Sequence, residues 1–271
     1  MGKKLFKILT DKSNAYFFNN CFYQFIIFFA VFALYALFIE TNGRNDPYFN
    51  LFIFLLTTYC LVKYYLSCKQ SFVPMLNRKL SLSIHILIGY LFTSVIWKII
   101  AKLMFHFYGR IEVLNQQILD KRVQENPETI VFHLLLAIIA APIMEEIIYR
   151  GLLLNAILYI SNQFGISRNK SFTIFLFSTA LLFSSAHASN NLLTFLGFSL
   201  TGLLLGFLYI VSGSLIVPIT VHFINNLSAE LSVNDDTKRF FLFIFLLVSI
   251  ILIEHFSKDE NNFVKKYFCK T

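Results

Sequence analysis

Apolar residues along this chain come in long, nearly unbroken blocks, separated by short polar joints. A helix that crosses a bilayer needs about 20 mostly apolar residues. Eight blocks meet or approach that length, at approximately 20–39, 48–66, 82–105, 132–157, 171–188, 191–211, 214–231 and 239–256. The pattern predicts an all-α, polytopic membrane protein of about eight transmembrane helices. The first block has no small-residue cleavage pattern after it and is read as a retained span. The joints differ in kind. Residues 40–47 are rich in turn formers, including Gly43 and Pro47. Residues 106–131 form the longest polar stretch and suit a helix lying on the membrane surface. Ala188-Ser189-Asn190 and Ser212-Gly213 are tight turns, which makes spans five to seven antiparallel neighbours.

Composition strengthens this picture. Of 271 residues, 57% are hydrophobic and 14% are charged, against about 25% charged in soluble domains. Mean hydropathy is +0.66. A water-soluble domain and a disordered chain are both excluded on those grounds. With no linker and no internal repeat, residues 1–271 read as a single membrane domain. The formal charge of +8 sets orientation: Lys and Arg collect on the cytoplasmic side. Eight spans place thirteen of them on the side shared by the two termini and six on the other, so both termini are expected in the cytoplasm. Nothing interleaves basic and aromatic residues as a nucleic-acid surface would. Cys21, Cys60, Cys68 and Cys269 lack metal-type spacing. Cys68, beside Lys69 at a span end, is the one suited to palmitoylation.

Charged groups inside the blocks carry the chemistry. An ionised side chain at mid-membrane costs about 2.5–3.5 kcal/mol on insertion scales, and the chain avoids this almost throughout. Among fifteen acidic residues, Glu145 and Glu146 alone lie well inside an apolar block. Glu146 and Arg150 are four apart, share a helix face and can pair. Glu145 points about 100° away, has no cation in local sequence, and is free to face a site. Pro142 removes one backbone hydrogen bond just upstream and is expected to kink the helix and free a carbonyl. His187 ends span five. His222 and Asn226, also four apart, share a face of span seven. Gly202 and Gly206 form a G-x-x-x-G pair suited to close helix packing. His85, His106, His133 and His255, all near span ends, read as background.

A carboxylate beside an imidazole can take a proton from water, with or without a metal holding that water. Side chains such as His222 and Asn226 can donate to a developing oxyanion. These are parts for amide hydrolysis. There is no H-E-x-x-H, no G-x-S-x-G and no Gly-rich phosphate loop.

Three motifs in order, Glu145-Glu146-x-x-x-Arg150, Phe183-x-x-x-His187 and His222-x-x-x-Asn226, resemble those of the CPBP family, the CAAX-protease and bacteriocin-processing intramembrane endopeptidases also called Abi proteins. The family includes the Ras-converting prenyl endopeptidases. The resemblance spans residues 130–230, which it marks as the catalytic core. It implies a helical bundle around an intramembrane cavity and a hydrolase of the bacterial cell membrane. The substrate would be a membrane-associated peptide or protein whose peptide bond is cut by activated water. By motif position, Glu145 resembles the catalytic glutamate and His187 its partner on the water. His222 and Asn226 resemble the oxyanion-binding pair, and Glu146 and Arg150 the supporting ion pair. Glu145, His187 and His222 could also bind zinc; the metal-dependent and metal-free readings both stand at this level. Two other functions fit the same sequence. One is a non-enzymatic bacteriocin-immunity or scaffold protein of the same fold. The other is a proton-coupled transporter, which the absence of paired broken-helix repeats disfavours. Straight spans would leave His187 and His222 roughly 15 Å apart in depth, a mismatch for one site.

Overall fold

The computed structural model describes residues 56–59, 81–114, 116–118, 121 and 136–230. The blocks at 20–39 and 239–256, most of 48–66, the loop at 40–47, the four cysteines, His133, His255 and both termini lie outside the described residues. So does most of the 106–131 stretch beyond residue 118. Among the described residues the secondary structure is helical, with no strand. Helix α1 spans Leu82–Tyr108. A continuous helical run then passes through a π-helical segment at Leu136–Ala140, α2 at Ala141–Glu146, a second π-helical segment at Ile147–Leu152 and α3 at Leu153–Gln163. Helices α4 (Arg168–Ser185), α5 (Leu192–Ser212) and α6 (Ile216–Glu230) follow.

These elements coincide with the third to seventh apolar blocks, with shifts at their ends. The fourth runs on to Gln163, beyond the expected 157, and turns at Gly165 with φ +64°. Pro142 does not break it. The helix passes through the proline with π-helical segments before and after the Glu pair. Helix α5 ends at Gly213, whose φ of +63° lets its N–H reach the Tyr209 carbonyl at 3.0 Å. Such a left-handed residue closes a helix at little cost only when it is glycine, and α6 begins three residues later. At the other end of α5, Asn191 caps the helix by accepting from the Thr194 N–H at 2.9 Å.

Helices α1 and α5 are long and apolar enough to cross a membrane, and α6 is a shorter apolar helix. The lipid-type face of α1 carries exposed Leu87, Leu91, Phe92, Val95 and Ile99, as expected where the surroundings are apolar. The chain is thus a helical membrane protein.

Glycines set the packing. A Cβ on Gly202 would lie 2.9 Å from the Phe183 Cβ and 3.2 Å from the Ala180 Cα, and one on Gly206 would lie 2.8 Å from the Thr179 Cγ2. The G-x-x-x-G pair therefore brings α5 against α4, and the pairing order makes the two antiparallel. A Cβ on Gly89 of α1 would lie 2.5 Å from Leu208 of α5 and 2.9 Å from Val221 of α6. Thr93, one turn on, is 2.9 Å from Asn225 Oδ1, so α1 and α6 run in the same direction. The core is lined by Ile86, Met144, Leu154, Phe175, Phe183, Leu205, Val217 and Val221.

Candidate active site

The Glu pair lies in α2, the six-residue α-helical stretch between the two π-helical segments. Glu146 and Arg150 are both fully buried, at 0% exposure, and Arg150 Nη1 donates to Glu146 Oε1 at 2.9 Å. The i,i+4 pairing expected from sequence is present. Arg150 does more than pair: its Nη2 donates to the Gly202 carbonyl at 3.2 Å, and its guanidinium carbon lies 4.7 Å from the centre of the Phe183 ring. The absence of a side chain at Gly202 is what lets α5 come close enough for that carbonyl to be reached.

His222 sits between the two carboxylates. Its Nδ1 is 2.9 Å from Glu146 Oε1, and its Nε2 is 4.0 Å from Glu145 Oε2. The ~100° divergence of adjacent helical residues is thus spanned by one imidazole. Because a carboxylate oxygen accepts, Nδ1 carries the hydrogen and donates, which leaves Nε2 for the site. Glu145 is the more open of the two acids, with its side chain 13% exposed. Its Oε2 makes no hydrogen bond to the protein. One guanidinium faces two carboxylates here, so the charge of Glu145 is the one left for chemistry.

His187 lies in the turn after α4. Its Nδ1 donates to the Phe183 carbonyl at 2.7 Å, since a carbonyl can only accept, and its Nε2 is left open. The ring stacks on Phe198 at 4.3 Å and leans on Phe183 at 4.4 Å. His222 meets the same Phe183 ring edge-on at 5.4 Å. Both histidines therefore flank one buried phenylalanine and share one neighbourhood, in place of the roughly 15 Å depth difference expected from straight spans. Sequence reasoning had no signal for Phe183 as the shared wall, beyond its place four residues before His187.

Asn226 is placed differently from its partner. Its Nδ2 donates to the Ala137 carbonyl at 2.8 Å, in the first π-helical segment. One of its two N–H groups is so committed, and the other is left. Among the described residues, no group of three or more His, Cys, Asp or Glu side chains is placed to hold a metal ion. Glu145, His187 and His222 share a neighbourhood but are not a ready ligand set as they stand.

Buried Glu146, Arg150 and His222 and the partly buried Glu145 and His187 thus gather close to one aromatic ring, Phe183. Residues 127–228, less than half of the chain, match a family model described as type II CAAX prenyl endopeptidase Rce1-like. This segment carries an Rce1-like domain, of the CAAX-protease family that the three motifs resemble, and that family is one of endopeptidases. No curated protein and no solved structure matches the chain.

Proposed function

We propose that this protein is an intramembrane endopeptidase that hydrolyses a peptide bond in a membrane-associated peptide or protein, with water activated by Glu145 and the two histidines. The observation that carries it is the asymmetry of the acid pair. Glu146 Oε1 is held at 2.9 Å by both Arg150 and His222, whereas Glu145 Oε2 faces His222 Nε2 at 4.0 Å and makes no hydrogen bond to the protein; the remaining Oε2 of Glu146 is buried and unbonded as well. A structural ion pair needs one carboxylate; the second is an expense unless it reacts. In this reading Glu145 takes a proton from water as the oxygen attacks the scissile carbonyl, then returns it to the leaving amine. His187 accepts from that water through Nε2. His222, carrying a proton on each ring nitrogen between the two carboxylates, donates from Nδ1 to Glu146 and from Nε2 to the oxyanion.

The test is Glu145→Gln in the full chain purified in detergent, incubated with membrane-associated peptides and read by mass spectrometry. Cleavage by the unchanged protein and none by the variant, at equal thermal stability, is the expected result. Near-normal turnover by Glu145→Gln would overturn the assignment. Loss of cleavage on chelation, restored by zinc, would recast His187 and His222 as metal ligands.

A further inference from the structure

Asn226 holds a backbone carbonyl that a proline leaves without its helical partner. In a π-helical segment each carbonyl accepts from the N–H five residues on. The segment at Leu136–Ala140 would continue by a bond from the N–H of residue 142 to the Ala137 carbonyl. Residue 142 is Pro142, which has no N–H. The Ala137 carbonyl would then face an apolar interior with nothing to accept from, a costly state for a backbone group within a membrane. It is instead met by Asn226 Nδ2 at 2.8 Å, across 89 residues of sequence.

From this we infer that Asn226 is a positioning residue: its amide replaces the missing Pro142 N–H and thereby clamps α6 to the helix that carries the Glu pair. The inference rests on the endopeptidase reading for its consequence in catalysis, though not for the clamp itself. His222 lies one turn before Asn226 on the same face of α6, and donates to Glu146 at 2.9 Å. The two contacts together fix the rotation of α6 about its axis. With the Asn226 contact gone, His222 would be held by one point and free to swing from the gap between the carboxylates. In the second π-helical segment the Tyr149 carbonyl also accepts from a neighbouring helix, from the buried Thr179 hydroxyl of α4 at 3.2 Å, there with no proline five residues on.

The experiment is a double-mutant cycle of Asn226→Ala and Pro142→Ala in the full chain in detergent, followed by thermal unfolding and by peptide cleavage. Alanine at 142 restores an N–H that can serve the Ala137 carbonyl. Asn226→Ala alone is expected to lower the unfolding midpoint by roughly 2–10 °C and to lose most of its cleavage. In the Pro142→Ala background the same change should cost less than half as much in midpoint, and cleavage should return with it. Equal penalties in both backgrounds would overturn the clamp. Recovered stability with cleavage still lost would show that Asn226 acts on the substrate instead. Should Pro142→Ala not fold, hydrogen exchange on Asn226→Ala decides: exchange must rise in residues 136–146 above the rest of the bundle, and unchanged exchange there overturns the proposal. The stability and exchange arms need no cleavage, so they stand even if the unchanged protein cuts no peptide.

Discussion

Arg150 makes three kinds of contact with one head group: an ion pair to Glu146, a hydrogen bond to the Gly202 carbonyl, and a cation–π approach to Phe183. The planar fork of a guanidinium serves two acceptors in fixed directions, which an ammonium cannot copy. Arg150→Lys is therefore expected to keep the charge and still lower stability. Arg150→Ala should cost about 3–5 kcal/mol, because the buried carboxylate of Glu146 is left alone. Detergent-solubilised unfolding of both variants checks this, and a Lys variant as stable as the unchanged protein would mean that charge alone matters here. At this scale the sequence was informative. The Glu146–Arg150 pair follows from i,i+4 spacing, and the open position of Glu145 follows from its having no local cation. The placement of His222 between the two acids was not legible. It depends on how α6 is rotated against a distant helix, and spacing within α6 says only that His222 and Asn226 share a face. Sequence placed that pair on one face; the protein partners of the two side chains, Glu146 for His222 and Ala137 for Asn226, had no signal in it.

Helix α4 meets the second π-helical segment through Thr179, whose two branches do different work. The hydroxyl donates to the Tyr149 carbonyl at 3.2 Å, and the methyl packs over Gly206. Thr179→Val keeps the shape and removes the donor, so a buried carbonyl loses its partner at a cost of about 1–3 kcal/mol. Thr179→Ser keeps the donor and loses the methyl, and the Tyr149 carbonyl keeps its bond. Thermal unfolding of the two variants, with exchange of residues 147–152, separates the contributions: only Val should loosen that segment. The apolar blocks made the helices legible, and Gly202-x-x-x-Gly206 made their close approach legible. The π-helical segments were not. They are set by which carbonyls find donors on neighbouring helices, and hydropathy carries no record of that. Pro142 was expected to free a carbonyl; the helical run continues through it, and the Ala137 carbonyl is met from outside by Asn226.

Across the whole molecule, the segment matching the protease family begins at residue 127, yet α1 lies before it and is wedged against two of its helices. Gly89 sits against Leu208 and Val221, Gly197 of α5 sits against Trp97, and Thr93 bonds Asn225. Thr93 itself is fully buried. Removing α1 would strip the apolar and polar cover from α5 and α6 on the face behind His222. A chain starting at residue 127 is accordingly expected to be degraded or aggregated in the membrane, and co-expression of residues 1–126 should rescue it. Size-exclusion chromatography and protease resistance of the two preparations give the answer; a stable, monodisperse fragment would make α1 an accessory. The long apolar face of α1 was plain in the sequence. That its other face is a partner of the core was not, because Gly89 and Thr93 look like unremarkable interruptions in an apolar block.

The two π-helical segments have a consequence for how this region can vary. Each fits more residues into a turn than the 3.6 of an α-helix, so each behaves as an absorbed insertion. Shortening either by one residue would restore ordinary winding and leave the helix on both sides at nearly its former rotation, because the π turn and the α turn that replaces it each close about one turn. The carbonyls now met from outside, Ala137 by Asn226 and Tyr149 by Thr179, could then be served within their own helix. Loss of one residue inside either segment, away from Glu145, Glu146 and Arg150, is thus expected to disturb the site less than the same loss in an ordinary α-helix.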